Sequence, residues 1–171
     1  MAEFHRVEDE LRLELPTDYK RLIIAYGDGN WQNFWRLLNP FSPNRYINLL
    51  WQSIQESESD TNRVWAERVT REEFPSEHPY PHIYPEPGGI LPWVGTDNGG
   101  TFWWITKGAP DTWQTIYDPD GRSLEWEMQG NRTSAEILYG SLSGEYKVFE
   151  QEFRDYGKYG SPNQFTQIAE G

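Results

Sequence analysis

Cysteine is missing from the chain altogether, so no disulfide can hold the fold together. No uninterrupted apolar run is long enough to span a bilayer, and the opening MAEFHRVEDE lacks the apolar core of a signal peptide. The expectation is a soluble, cytoplasmic protein with no membrane partner. Positive charge is scarce as well: 15 Lys and Arg stand against 27 Asp and Glu, a formal net charge of -12. Nucleic-acid phosphates and anionic lipid surfaces both demand Lys and Arg, so neither is expected as a partner. Solubility alone accounts for such a charge; its sharper reading is a basic partner.

What is plentiful is aromatic. Trp 9, Tyr 10 and Phe 8 make up 16% of 171 residues, against a hydrophobic content of only 36%. Each buried ring removes roughly 150–250 Å² from water, so few aliphatics need not mean a weak core. A single domain over residues 1–171 with a Trp-rich core is expected.

The chain opens with Phe4, Val7 and Leu11 at helical spacing and Glu8, Asp9 and Glu10 toward water, in a helix ending near Leu13. Pro16 suits the first turn of a second helix, whose stripe is Tyr19, Leu22, Ile23 and Tyr26 and whose stop is Gly27. A strand is expected from about Phe34 to Leu38, broken by Asn39-Pro40. Ser42-Pro43 reads as an N-cap and first helical position, with Ile47, Leu50, Trp51 and Ile54 as the buried stripe that follows. The acidic run from Gln55 to Asn62 either continues that helix or breaks it before a turn around Val64 and Trp65. Pro75, Pro79, Pro81, Pro85 and Pro87 then forbid helix and interior strand, leaving an extended connector.

Gly88 to Thr106 is the centre of the chain and reads as a β-hairpin. Asp97-Asn98-Gly99-Gly100 is the turn, with positive φ expected at the two central residues. Phe102, Trp104 and Thr106 point to one face and Thr101, Trp103 and Ile105 to the other, so both faces need cover. Pro92 cannot donate to a ladder, which predicts a bulge or interruption in a strand near an edge. Further strands are expected from Trp113 to Tyr117 and from Ser123 to Met128, the second with Leu124, Trp126 and Met128 inward and Ser123, Glu125 and Glu127 outward. Thr133-Ser134-Ala135-Glu136 is a capping box opening a helix with Ala135, Leu138, Tyr139 and Leu142 on one side, stopped by Gly144. The tail from Tyr146 shows no period and is expected to be irregular. Helices, an antiparallel β-sheet meander and a C-terminal helix make the fold class α+β.

Leu15-Pro16-Thr17-Asp18-Tyr19-Lys20, Tyr26-Gly27-Asp28-Gly29, Asn39-Pro40-Phe41, Gly88 to Trp93, Thr96 to Gly99 and the helix ending Leu142-Ser143-Gly144 occur in an order and spacing that resembles the SUKH superfamily, the Smi/Knr-like domains. The resemblance covers about residues 4–144 and leaves 145–171 as an extension. It implies a non-catalytic α+β domain, and in many bacterial members an immunity protein that binds and neutralises a cognate secreted polymorphic toxin. Binding residues vary between such members, so none carries over. Gly27, Gly89 and Trp93 are positions of turns and core packing.

Catalytic and cofactor motifs are not found. A phosphate-cradling Gly-rich loop is missing, Gly27-Asp28-Gly29 lacks the third glycine of a dinucleotide turn, and Gly140-Ser141-Leu142-Ser143-Gly144 places Leu142 where a nucleophilic serine must stand. His78 and His82, with Glu77 and Glu86 nearby, are metal-like in composition. In an extended Pro-rich segment at ~3.1 Å per residue, however, their imidazoles lie about 12 Å apart, beyond one ion's reach. Asp118 and Asp120 lack the ligand series of a calcium loop. A carboxylate pair for glycoside hydrolysis could be assembled in space, but none is marked by an apolar setting. A sugar-binding module would require tryptophans outside the core, whereas the periods above place most of them inside. No enzyme activity, metal or cofactor is expected.

The expected mechanism is stoichiometric occlusion: an acidic face covers the basic substrate groove of a nuclease-type toxin. Candidate contributors are Glu56, Glu58 and Asp60, the turn residues Asp118 and Asp120, and Glu125 and Glu127 on the outer strand, with aromatic anchors supplying most of the affinity. The alternative is a protein-interaction or regulatory module of a cell-wall or signalling pathway, as the Smi/Knr namesakes suggest.

Overall fold

The computed structural model describes residues 2–58, 83–118, 127–128, 130, 132–143, 145–146 and 165–167. Among them, α1 (Ala2–Leu11), α2 (Thr17–Tyr26), β1 (Gly29–Trp31), β2 (Trp35–Leu37) and α3 (Leu49–Glu58) precede the central hairpin of β3 (Ile90–Thr96) and β4 (Thr101–Ile105). β5 (Gln114–Asp118), β6 (Glu127–Met128), α4 (Ser134–Ser143) and β7 (Phe165–Gln167) follow. The strands form one antiparallel sheet in the order β6-β5-β4-β3-β2-β1-β7. The α+β class is therefore as expected. His78, His82, Val64, Trp65, Gly144 and the run Ser123 to Trp126 lie outside the described residues.

Alternation along β4 divides the interior in two. Phe102 and Trp104 join Trp31, Trp35, Leu37, Leu91, Trp93 and Tyr117 beneath Phe4, Val7 and Leu11 of α1, Tyr19 and Ile23 of α2, and Ile137 and Leu138 of α4. Trp103 faces the other way, with Ile90 and Ile116, and Ile83 and Ile105 pack against them. Both faces are covered, as the strand's composition requires. Trp93 and Trp104 stack at 5.5 Å with planes 7° apart, and Tyr19 meets Trp104 edge-on at 4.9 Å. The core is built from rings.

Pro92 does mark a bulge, since the register slips between Pro92 and Val94 and leaves Trp93 as the extra residue. The strand holding it is nevertheless central. β2 pairs with β3 only from Val94 onward, so Pro92 meets a partner strand on the β4 side alone. Within a central strand, that is the one place a missing N–H is tolerated. In the hairpin loop Thr96 N donates to Gly100 O at 2.8 Å, and of the loop residues only Gly99 takes positive φ, at 92°. Asn98 does not.

Several helical and strand expectations are corrected. β1 was not expected; it exists because Gln32 and Asn33 both adopt positive φ, 57° and 55°, and turn the chain back into β2. Ser42-Pro43 does not open a helix, because the Ser42 hydroxyl is spent on Asp28 and on the Asn44 amide. A single 3-10 turn over Arg45–Ile47 comes first, and α3 begins after Asn48, whose side chain accepts from Trp51 N at 3.0 Å. The buried positions of α3 are consequently Leu49 and Ser53, and Trp51 and Ile54 face out. On α4 the capping box forms in both directions, Thr133 N to Glu136 Oε2 at 2.9 Å and Glu136 N to Thr133 Oγ1 at 3.3 Å. Its inner face is Ile137, Leu138 and Ser141, while Tyr139 is 69% exposed. The tail is not irregular throughout: β7 adds to β1 and seats Phe165 against Trp31 and Tyr26.

Candidate functional site

Most of the motif residues are occupied in building the scaffold. The Tyr19 hydroxyl donates to the Leu38 carbonyl. The Asp18 carboxylate accepts from Ala135 N at 2.8 Å and so caps α4, while Asp111 accepts from Thr17 N at 2.6 Å and caps α2. The Thr17 amide bond holds the Asp111 pKa below the ordinary carboxylate value against some desolvation, helped by the Thr17 hydroxyl and the charges of Lys20 and Arg21. Glu8, expected to face water, is instead only 10% exposed: it accepts from Lys20 Nζ at 2.7 Å and Leu15 N at 2.9 Å. Burial pushes its pKa up, but the Leu15 amide, the Lys20 bond and the charges of Lys20 and His5 together outweigh burial and hold it below 4.5. Neither Glu8 nor Asp111 is raised toward neutrality as a general acid would be.

One network reaches the surface. Asp28, just past the stop of α2, accepts from Asn39 Nδ2 at 2.5 Å and from Ser42 Oγ at 2.6 Å. The same Ser42 Oγ takes Asn44 N at 3.1 Å, and Asn44 Oδ1 takes Tyr46 N at 3.0 Å. Asn48 Nδ2 donates to the carbonyls of Ser42 and Pro40 at 2.8 and 3.2 Å. A half-buried carboxylate thus fixes the loop from Asn39 to Asn48 residue by residue.

The loop presents an exposed aromatic group. Tyr46 is 70% and Trp51 39% exposed, and the Arg45 guanidinium lies 5.1 Å from the Tyr46 ring centre and 5.7 Å from that of Trp51. Beside it runs a groove of about 170 Å³, walled by Tyr46 and Gln52 and lined further by Arg36, Pro92, Gly95, Thr96, Gly100 and Thr101. Arg36 closes one end in an ion pair with Asp97. The cluster is not legible in the sequence, because Trp51 falls in an apolar spacing that looks like core.

Of the expected acidic contributors, Asp118, Glu56, Glu58 and Glu127 lie in described elements. Asp118, at the end of β5, is buried at 5% exposure, which corrects its expected place on a solvent face. Glu56 and Glu58 lie in the last turn of α3, and Glu127 lies in β6. Asp60, Asp120 and Glu125 lie outside the described residues. Among the described residues no group of three or more His, Asp or Glu side chains is arranged to hold a metal, and no helix is long and apolar enough to cross a membrane. No protein-family model, curated protein or solved structure matches the chain.

Proposed function

We propose that the chain is an immunity protein of the SUKH type, which acts in the cytoplasm and neutralises a cognate secreted polymorphic toxin by binding it. The toxin is a basic, nuclease-type domain, and neutralisation is non-catalytic occlusion of its substrate groove. The observation that carries this reading is the exposed Tyr46–Arg45–Trp51 cluster, tied rigidly to the core through Asn44 and Asn48. Tyr, Trp and Arg are the residues that dominate binding energy at protein interfaces, above all when they are held in place before the partner arrives. The net charge of -12 complements a basic partner and raises the encounter rate, more so at low ionic strength. Glu56 and Glu58, on the same helix as Trp51, are the acidic residues nearest the cluster in sequence. The resemblance motifs support the reading from another side, since Tyr19, Asp28, Asn39 and Gly89 are engaged in packing and turns, as a scaffold with a variable surface requires.

The test is to co-express the chain with the toxin domain encoded beside its gene. A one-to-one complex in which the toxin is inactive, and which weakens as salt rises, is the expected result. A toxin that stays fully active with the chain in excess, or a gene with no toxin for a neighbour, overturns it.

A further inference from the structure

The face around Tyr46 carries two arginines on a chain of net charge -12. The lining of the groove contains Arg36 and no Asp or Glu among the described residues, and Arg45 is exposed with its guanidinium 5.1 Å from the Tyr46 ring centre. The two arginines differ in what they hold. Arg36 is already paired with Asp97. Arg45 has no carboxylate partner among the described residues; it lies over Tyr46 and Trp51 and donates to the Tyr46 hydroxyl at 3.3 Å. Stacking on two rings and the bond to the Tyr46 hydroxyl restrain the guanidinium and leave its remaining donors open, so pairing with an incoming carboxylate would forfeit little further freedom.

We infer that this face docks a segment of the partner that presents a carboxylate next to an apolar side chain. The carboxylate takes Arg45, and the apolar side chain enters the groove between Tyr46 and Gly95. Gly95 leaves room for it, because a Cβ built there meets no atom within 4 Å. Charge complementarity selects the partner's chemistry: the Arg45 cation, which has no carboxylate partner among the described residues, is satisfied by an acidic segment. This inference rests on the immunity reading and deepens it. The overall charge steers a basic toxin inward, and the local guanidinium and rings fix the register in which it seats.

The experiment has two arms. In the first, the full chain and its Arg45→Glu and Trp51→Ala variants are titrated with the cognate toxin domain by calorimetry. Both side chains are exposed, so the variants should keep the thermal midpoint of the parent while toxin affinity falls roughly 30-fold in each. Toxin bound equally well by all three overturns the docking face and leaves the immunity reading standing. In the second arm, the isotope-labelled chain is titrated with N-acetyl-Leu-Asp-Leu-amide and followed by NMR. Shifts confined to Tyr46, the Trp51 indole, Gly95 and Gly99 that vanish in Arg45→Glu support the face. Failure of the parent chain to bind toxin sinks the immunity reading alone, and the peptide arm then decides the face: no shift, or an identical shift in Arg45→Glu, overturns it.

Discussion

The Tyr19 hydroxyl donates to the main-chain carbonyl of Leu38, tying the first turn of α2 to the residue that follows β2. Tyr19 is fully buried, and burial pushes its pKa well above 10.0, so the group stays a neutral donor at any physiological pH. Tyr19→Phe keeps the ring against Trp104 but leaves the Leu38 carbonyl without its donor in a dry site. The expected loss is about 1–3 kcal/mol, read as a lower urea midpoint with an unchanged slope. A midpoint equal to the parent's would show that the bond adds nothing to stability.

Asp28 organises more than it touches directly. Because its carboxylate holds both Asn39 and Ser42, Asp28→Ala strands two donors at once and releases the loop that presents Tyr46. A stability loss of about 2–3 kcal/mol is expected. Toxin affinity should fall as well, although the hydrogen bonds of Asp28 go to Asn39 and Ser42 and not to the exposed cluster. Hydrogen exchange at Tyr46 and Trp51 provides the check: amides that remain as protected as in the parent would refute the coupling.

What could be read from the sequence was whatever carried its own chemical stop. The capping box at Thr133 and Glu136 forms as expected, and so does the bulge announced by Pro92. The turn at Gln32-Asn33 was illegible because glutamine gives no warning of a left-handed conformation, and β1 was lost with it. The phase of α3 was misjudged because Ile47 belongs to a separate 3-10 turn, so its spacing to Leu50 and Ile54 is not a helical one. The candidate face was hidden for the same reason. An outward Trp51 and an inward Ser53 reverse what hydropathy suggests, and only the capping position of Asn48 sets them so.

Glu8 predicts an acid-sensitive fold. Its pKa is lower in the folded chain than in the unfolded one, so as pH falls through this range the folded state binds fewer protons than the unfolded state. Its stabilisation is complete above about 4.5 and is lost as pH drops through the folded value. Glu8→Gln, which cannot hold the Lys20 ammonium as an ion, should cost about 1–2 kcal/mol at pH 7 and much less below the carboxylate range. Urea titrations of both proteins at neutral and acid pH measure the gap. A gap that does not narrow on acidification would mean that Glu8 acts through packing and not through charge.

Two glycines of the central hairpin separate scaffold from face. Gly89 has no room for a side chain, since a Cβ there would stand 2.6 Å from Ile83 C and Tyr84 N and 2.8 Å from Glu86 O, all main-chain atoms. Its own carbonyl accepts from both the amide and the hydroxyl of Thr106, so the strand cannot shift to make room. Gly89→Ala should therefore cost about 2–3 kcal/mol by overpacking. Gly95 lies in β3 with open space above it, and Gly95→Val should change stability by less than about 1 kcal/mol, because a branched side chain suits a strand. The added methyls nevertheless occupy the floor of the groove beside Tyr46. Thermal melts and toxin titrations of the two variants should thus rank in opposite orders: Gly89→Ala unstable but, where folded, binding normally, and Gly95→Val stable but binding poorly. A Gly95→Val protein that binds as tightly as the parent would move the contact surface away from the groove.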